Sequence, residues 1–174
     1  MRSSTRKVRD LTVFAMFGGL MFASRVAMAG IPGVHLLGLF IAALTLTYRT
    51  KALIPLYVFI LLEGIHGSFG LFWLAYLYIW IPLWGMFMLA GKPKLPRKAQ
   101  VPLFMLLCGL HGLSFGALGA PVGALMFGVK TWAGVIAWII NGLPFDITMA
   151  ISNFFMGMLI IPLSDLLKKL NNQQ

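Results

Sequence analysis

Residues 11–30 read LTVFAMFGGLMFASRVAMAG, a run of apolar and small side chains that carries one charge, Arg25. At 1.5 Å rise per residue, about 20 such residues cross the roughly 30 Å hydrocarbon core of a bilayer. Comparable runs recur as far as Leu167 with little chain between them. Of the 174 residues, 60% are hydrophobic and 10% charged, and the mean hydropathy is +0.91. That composition excludes an ordinary soluble domain and leaves one integral membrane domain over residues 1–174. The formal charge of +10 comes from short basic clusters between the apolar runs. Those clusters read as topology signals, so nucleic acid is not an expected partner. Cys108, the lone cysteine, has no mate for an intrachain disulfide. No small-x-small cleavage pattern follows a short apolar core near the N-terminus, so Leu11 onward reads as a retained helix rather than a signal peptide.

Glycine, proline and basic punctuation divide the chain into six expected spans, near 11–29, 34–48, 52–68, 71–90, 101–117 and 145–167. With those spans, Arg2, Arg6, Lys7, Arg9, Arg49, Lys51, Lys92, Lys94, Arg97, Lys98, Lys168 and Lys169 fall on one side and Lys130 on the other. The positive-inside rule then makes both termini cytoplasmic. The stretch PVGALMFGVKTWAGVIAWIINGLP, Pro121 to Pro144, is apolar enough for a seventh span. A crossing there would put Lys168 and Lys169 outside and Lys130 at mid-membrane. A long outer loop with short helices folded back on the bundle is the reading preferred. The expected fold is therefore an all-α bundle of six transmembrane helices in a multi-pass membrane protein.

Spans with a direction give each polar residue a depth. Arg25, His35, Glu63, His66, Trp73, Tyr76, His111, Asn141, Asp146 and Asn153 all fall toward the outer leaflet. A charge at mid-membrane costs about 2.5–3.5 kcal/mol on insertion scales unless it faces the bundle interior or water, so their gathering points to an outward-facing polar pocket. Trp73, Tyr76 and Trp80 follow one another at i, i+3 and i+7 on one helical face, with Phe115, Trp132 and Trp138 supplied later in the chain. Flat rings around a few polar groups suit a small heteroaromatic ligand. Tryptophan and tyrosine also form interfacial belts, an equal reading for Trp73 and Tyr76 and the preferred one for Trp132 and Trp138. Arg25 has two readings: snorkelling to the headgroups, or pairing with Glu63, Asp146 or an anionic group of the ligand. His35, His66 and His111 suit either a ligand or a neighbouring carbonyl. Asn153 suits interhelical hydrogen bonding, and Asp146, just after Pro144, suits the first turn of the last helix.

Catalytic patterns are missing. GMFMLAGKP, residues 85–93, has five residues between its glycines and proline where a P-loop has Ser or Thr. Glu63 and His66 have the spacing of half a carboxylate-bridged metal site, without a second half. HExxH does not occur, and no enzyme, metal or cofactor is expected.

Ala15, Gly19, Ala23 and Ala27 recur every four residues and form a smooth stripe along the first helix, suited to close approach of another helix. That helix lies within this chain or in a partner. The small-xxx-small first helix, the basic N-terminus and the closing GLPFDITMAISNFFMGMLIIPLSDLL, residues 142–167, together resemble the S component of an energy-coupling factor (ECF) transporter. LYVFILLEGIHGSFGLFWLAYLYIW and HGLSFGALGAP are similar to members of that group as well. The resemblance departs at Gly19, where alanine often stands, and at Thr148 and Met149, where a histidine-containing pair is common. It implies a high-affinity substrate-binding subunit of a vitamin importer, with ligand bound near the outer surface. It also implies that the smooth face of the first helix docks a membrane T component coupled to two cytoplasmic ATPase subunits. The alternative is an autonomous proton-coupled carrier in which Glu63, Asp146 and the histidines relay protons.

Overall fold

The computed structural model describes residues 2–92 and 95–172. Pro93 and Lys94, used above for the P-loop and charge arguments, lie outside the described residues. The described chain is helical, without strands: α1 (Arg2–Ala27), α2 (Leu37–Tyr48), α3 (Leu53–His66), α4 (Trp73–Ile79), α5 (Ile81–Ala90), α6 (Arg97–Leu113), α7 (Phe115–Met126), α8 (Trp132–Met156) and α9 (Ile160–Asn172). Helices joined by single-residue or 3-10 breaks form longer runs. Five runs are long and apolar enough to cross a membrane: Val8–Ala27, Leu37–His66, Trp73–Ala90, Arg97–Met126 and Trp132–Asn171.

Close contacts give the direction of each helix. Asp10 meets Lys51 at 3.4 Å and Arg25 meets Glu63 at 3.4 Å, so α1 and α3 run parallel. Phe14 packs edge-on against Tyr48 at 5.2 Å, while Leu37 shares a cavity wall with Arg25, so α2 runs the other way. The run Leu37–His66 therefore doubles back through the 3-10 turn Arg49–Ala52, where Arg49 takes a positive φ of 56°. Trp73 and Ile60 are bonded at one end of α4–α5, and Arg49 donates to the Met88 carbonyl at 2.7 Å at the other. Arg97 pairs with Asp165, bringing the start of α6 to the end of α9. Arg9, Arg49, Lys51, Arg97, Lys168 and Lys169 thus belong to one end of the bundle, and the 127–131 connection with Lys130 belongs to the other.

The core centres on α2, whose residues Leu37 to Thr45 are all buried. At 12 residues α2 is about 18 Å long, less than a bilayer core. Its burial by other helices lets so short a helix sit at the centre, since it presents little backbone to lipid. Thr45 returns its hydroxyl to the Ile41 carbonyl at 2.6 Å, and Thr47 approaches Ser164 of α9 at 3.3 Å, so the polar groups of this helix are satisfied locally.

The long outer loop expected between the last two spans is replaced by a helical hairpin. Helix α7 continues α6 past Ser114, and α8 begins at Trp132, so the reversal occupies 127–131 alone. Pro121 and Pro144 lie inside helices. Gly123, in the stretch read as a loop, is a place of close approach, since a Cβ on it would meet the Trp138 indole at 2.6 Å; inside α6, a Cβ on Gly112 would meet Ala150 backbone at 2.8 Å. Asp146 accordingly lies in the middle of α8, not in a first helical turn.

Candidate ligand cavity

A cavity of about 420 Å³ opens at the end of the bundle away from the basic cluster. Its walls come from the end of α1, the connection through Pro32 and His35, the start of α2, one face of α4, the first residue of α7 and the middle of α8. The volume lies in the range of small-molecule sites. Tyr76 and Trp80 come from one side, Phe115 from another, and Arg25 and His35 supply polar edges. Gly33 in the connection has a φ of 76°, and a Cβ built on it would lie 3.2–3.3 Å from Thr148 and the Met149 backbone. Only glycine adopts that conformation at low cost so close to another backbone, and it seats the connection over α8.

Trp80 organises the site. It is 1% exposed, its ring stacks on His111 at 5.4 Å, and His35 meets it edge-on at 5.7 Å. His111 hydrogen-bonds the Ile79 carbonyl through Nε2 at 2.8 Å, which fixes the imidazole behind the tryptophan rather than in the cavity. The Trp80 N–H and both ring nitrogens of His35 are buried without a protein partner among the described residues. Buried polar atoms are nearly always paired in folded proteins, so these three are exceptions, and with almost no accessible surface they stand behind the cavity wall rather than open onto it. Desolvation by burial, with smaller contributions from His111 and Arg25, pushes the His35 imidazole down to about 4. It is neutral at pH 7.

Arg25 places its Nε 3.4 Å from Glu63 Oε1. Of the pairings open to Arg25 in the sequence, the geometry contains the one with Glu63. Glu63 is buried and does not line the cavity; it lies behind the guanidinium.

A second cavity of about 320 Å³ shares Phe72, Phe115 and Phe145 with the first and continues toward Trp138, Asn141 and Asp146. Asp146 is 2% exposed and accepts a hydrogen bond from the Gly116 N–H at 2.9 Å. Trp138 packs on Phe127 at 5.0 Å, whereas Trp132 is 83% exposed.

Thus Arg25, His35, Tyr76 and Phe115 meet in the first cavity, and Phe115, Asn141 and Asp146 meet in the second. The other expected residues lie elsewhere. Trp73 donates its indole N–H to the Ile60 carbonyl at 2.8 Å and packs on Phe69 at 5.1 Å. His66 meets Phe22 edge-on at 5.6 Å. Asn153 is buried between α8 and α2, next to Gly38, with both polar atoms unpartnered. Sequence reasoning placed Trp80 in the aromatic stripe without counting it among the site residues, although its position four residues after Tyr76 carried the signal. It missed Phe72, Phe145 and Met149, which look like ordinary apolar residues. No group of three or more His, Cys, Asp or Glu among the described residues is arranged to hold a metal ion.

The small-residue stripe faces away from the bundle. Ala15, Ala23 and Ala27 are exposed and Gly19 is half-buried, with nothing within 4 Å of a Cβ built on it. Gly18, one residue earlier, is buried against Pro55 and Val58 of α3. Beside the stripe a groove of about 560 Å³ runs between α1 and α9, lined by Gly19, Ala23, Leu20 and Leu167 among others. No protein-family model, curated protein or solved structure matches the chain.

Proposed function

We propose that the chain is a membrane-embedded solute receptor, with its ligand bound in the aromatic cavity walled by Arg25, Tyr76, Trp80 and Phe115. More particularly, it acts as an S component, the substrate-binding subunit of an ATP-driven ECF importer for a vitamin or related micronutrient. The observation that carries this reading is the division of α1. Its last turns line the cavity through Arg25, while its small-residue stripe is left uncovered by the chain's own helices. In a bundle that transported alone, a smooth groove of this kind would be expected to pack an internal helix.

In this reading the run Leu37–His66 crosses twice, giving six crossings with both termini cytoplasmic. The basic end then faces the cytoplasm, as the positive-inside rule asks, and the cavity faces outward in a prokaryotic plasma membrane. The stripe receives a T component, and two cytoplasmic ATPase subunits drive uptake. The chain's own role is binding, not catalysis.

Reconstitution tests this. The chain should copurify with a coexpressed T component and ATPases, and vesicles containing all of them should accumulate ligand with ATP. Uptake by the chain alone that collapses with the pH gradient would overturn the proposal in favour of a proton-coupled carrier.

A further inference from the structure

We propose that the cavity accepts a small planar aromatic anion, its negative group held by the Arg25 guanidinium and its ring enclosed by Phe72, Tyr76, Trp80 and Phe115. The inference rests on the reading of the cavity as a ligand site and goes further by fixing the ligand's charge. The sequence leaves the charge balance open, because Arg25, Glu63 and Asp146 all fall at the same depth. The structure separates them. Arg25 lines the cavity, Glu63 lies behind it, and Asp146 lines the neighbouring cavity with one oxygen bonded to the Gly116 N–H. Among the described residues no carboxylate lines the first cavity, and Arg25 is its one formal charge.

A guanidinium has five N–H donors in a planar fork suited to a carboxylate or similar oxyanion. Glu63 approaches the Nε edge, and Tyr76, itself a wall of the cavity, lies within hydrogen-bonding reach of the same side chain. A fork of five donors has N–H groups beyond those two contacts for an occupant. Glu63 thereby acts as a positioning residue, holding the fork at the cavity wall. A cationic ligand would find no acid at the cavity surface to hold it. A neutral one would forgo the charge-assisted hydrogen bonds that an oxyanion makes to the fork.

The test uses the purified full chain in lipid nanodiscs and a set of monocyclic and bicyclic aromatic carboxylates, each with its primary amide and its aminomethyl analogue. Binding is read by saturation-transfer NMR and tryptophan fluorescence. Carboxylates should bind about tenfold or more tighter than their amides, and the amines should be weakest. Arg25→Gln should abolish the carboxylate preference. Arg25→Lys, which keeps the charge but not the fork, should keep the preference with weaker binding. Glu63→Gln should keep the order of the series, and thermal melting of every variant checks that it is folded. Tighter binding of the amines, an intact carboxylate preference in Arg25→Gln, or no binding in any of the series would overturn the inference. Because the chain is tested without T component or ATPases, failure of the importer reading leaves this result standing, and failure here leaves coupling to those partners unaffected.

Discussion

Alanine at Gly18 and alanine at Gly19 differ by one position and should act in opposite directions. At Gly18 the new Cβ would be 2.6 Å from Val58 Cβ and 3.0 Å from the Pro55 carbonyl. Neither neighbour retreats easily, since valine is stiff at χ1 and the Pro55 atom is backbone. Overpacking of this kind costs about 1–3 kcal/mol, set against the roughly 1 kcal/mol that alanine gains over glycine inside a helix. Gly19→Ala meets nothing within 4 Å and keeps the helical gain. The two variants should therefore differ by about 1–3 kcal/mol, with Gly18→Ala the less stable. Unfolding in mixed micelles, followed by circular dichroism, measures the difference. Assembly with a T component should show the reverse sensitivity: Gly19→Leu should abolish the complex while leaving the chain folded and ligand-competent. Equal stabilities of the two alanine variants, or a complex that tolerates leucine at Gly19, would refute the orientation given to α1 and the docking role of its stripe.

Trp73→Phe should lower stability by about 0.5–1.5 kcal/mol through loss of the bond to Ile60, with ligand affinity unchanged, because Trp73 is outside the cavity; a calorimetric titration checks the affinity. Trp80→Ala should weaken ligand binding by about 2 kcal/mol or more in the same titration, since its ring is part of the cavity wall. Exposure of His35 to falling pH should also register. Its folded value of about 4 lies below the ordinary 6.5, so the unfolded chain binds the extra proton first. The contribution is complete above pH 6.5 and is lost progressively as pH falls toward 4. Thermal melting should fall more steeply over that window in the parent chain than in His35→Gln.

The helices and their order were legible because lipid imposes long apolar runs, and because charge and proline punctuate them between Tyr48 and Lys51 and between Gly91 and Gln100. The hairpin α7–α8 was not. Its glycines have the composition of a loop, yet Gly119 and Gly123 face Phe72 and Trp138 at close packing contacts, and only the packed partner reveals that use. Asp146 was misplaced for the same reason, because Pro144 reads as a helix start until Trp132 is seen to begin the helix. At the site, depth along the membrane brought Arg25, His35 and Tyr76 together. Depth says nothing of the azimuth of a side chain, so it could not separate Tyr76 in the cavity from Trp73 turned onto Ile60. Nor could it tell Arg25 at the wall from Glu63 behind it.

Native mass spectrometry of the chain purified from cells reads the occupancy of the cavity most directly. The parent chain and Trp73→Phe should each carry one small molecule, and Trp80→Ala should have lost it. A molecule retained equally by all three, or found in none of them, would contradict a receptor site built around Trp80.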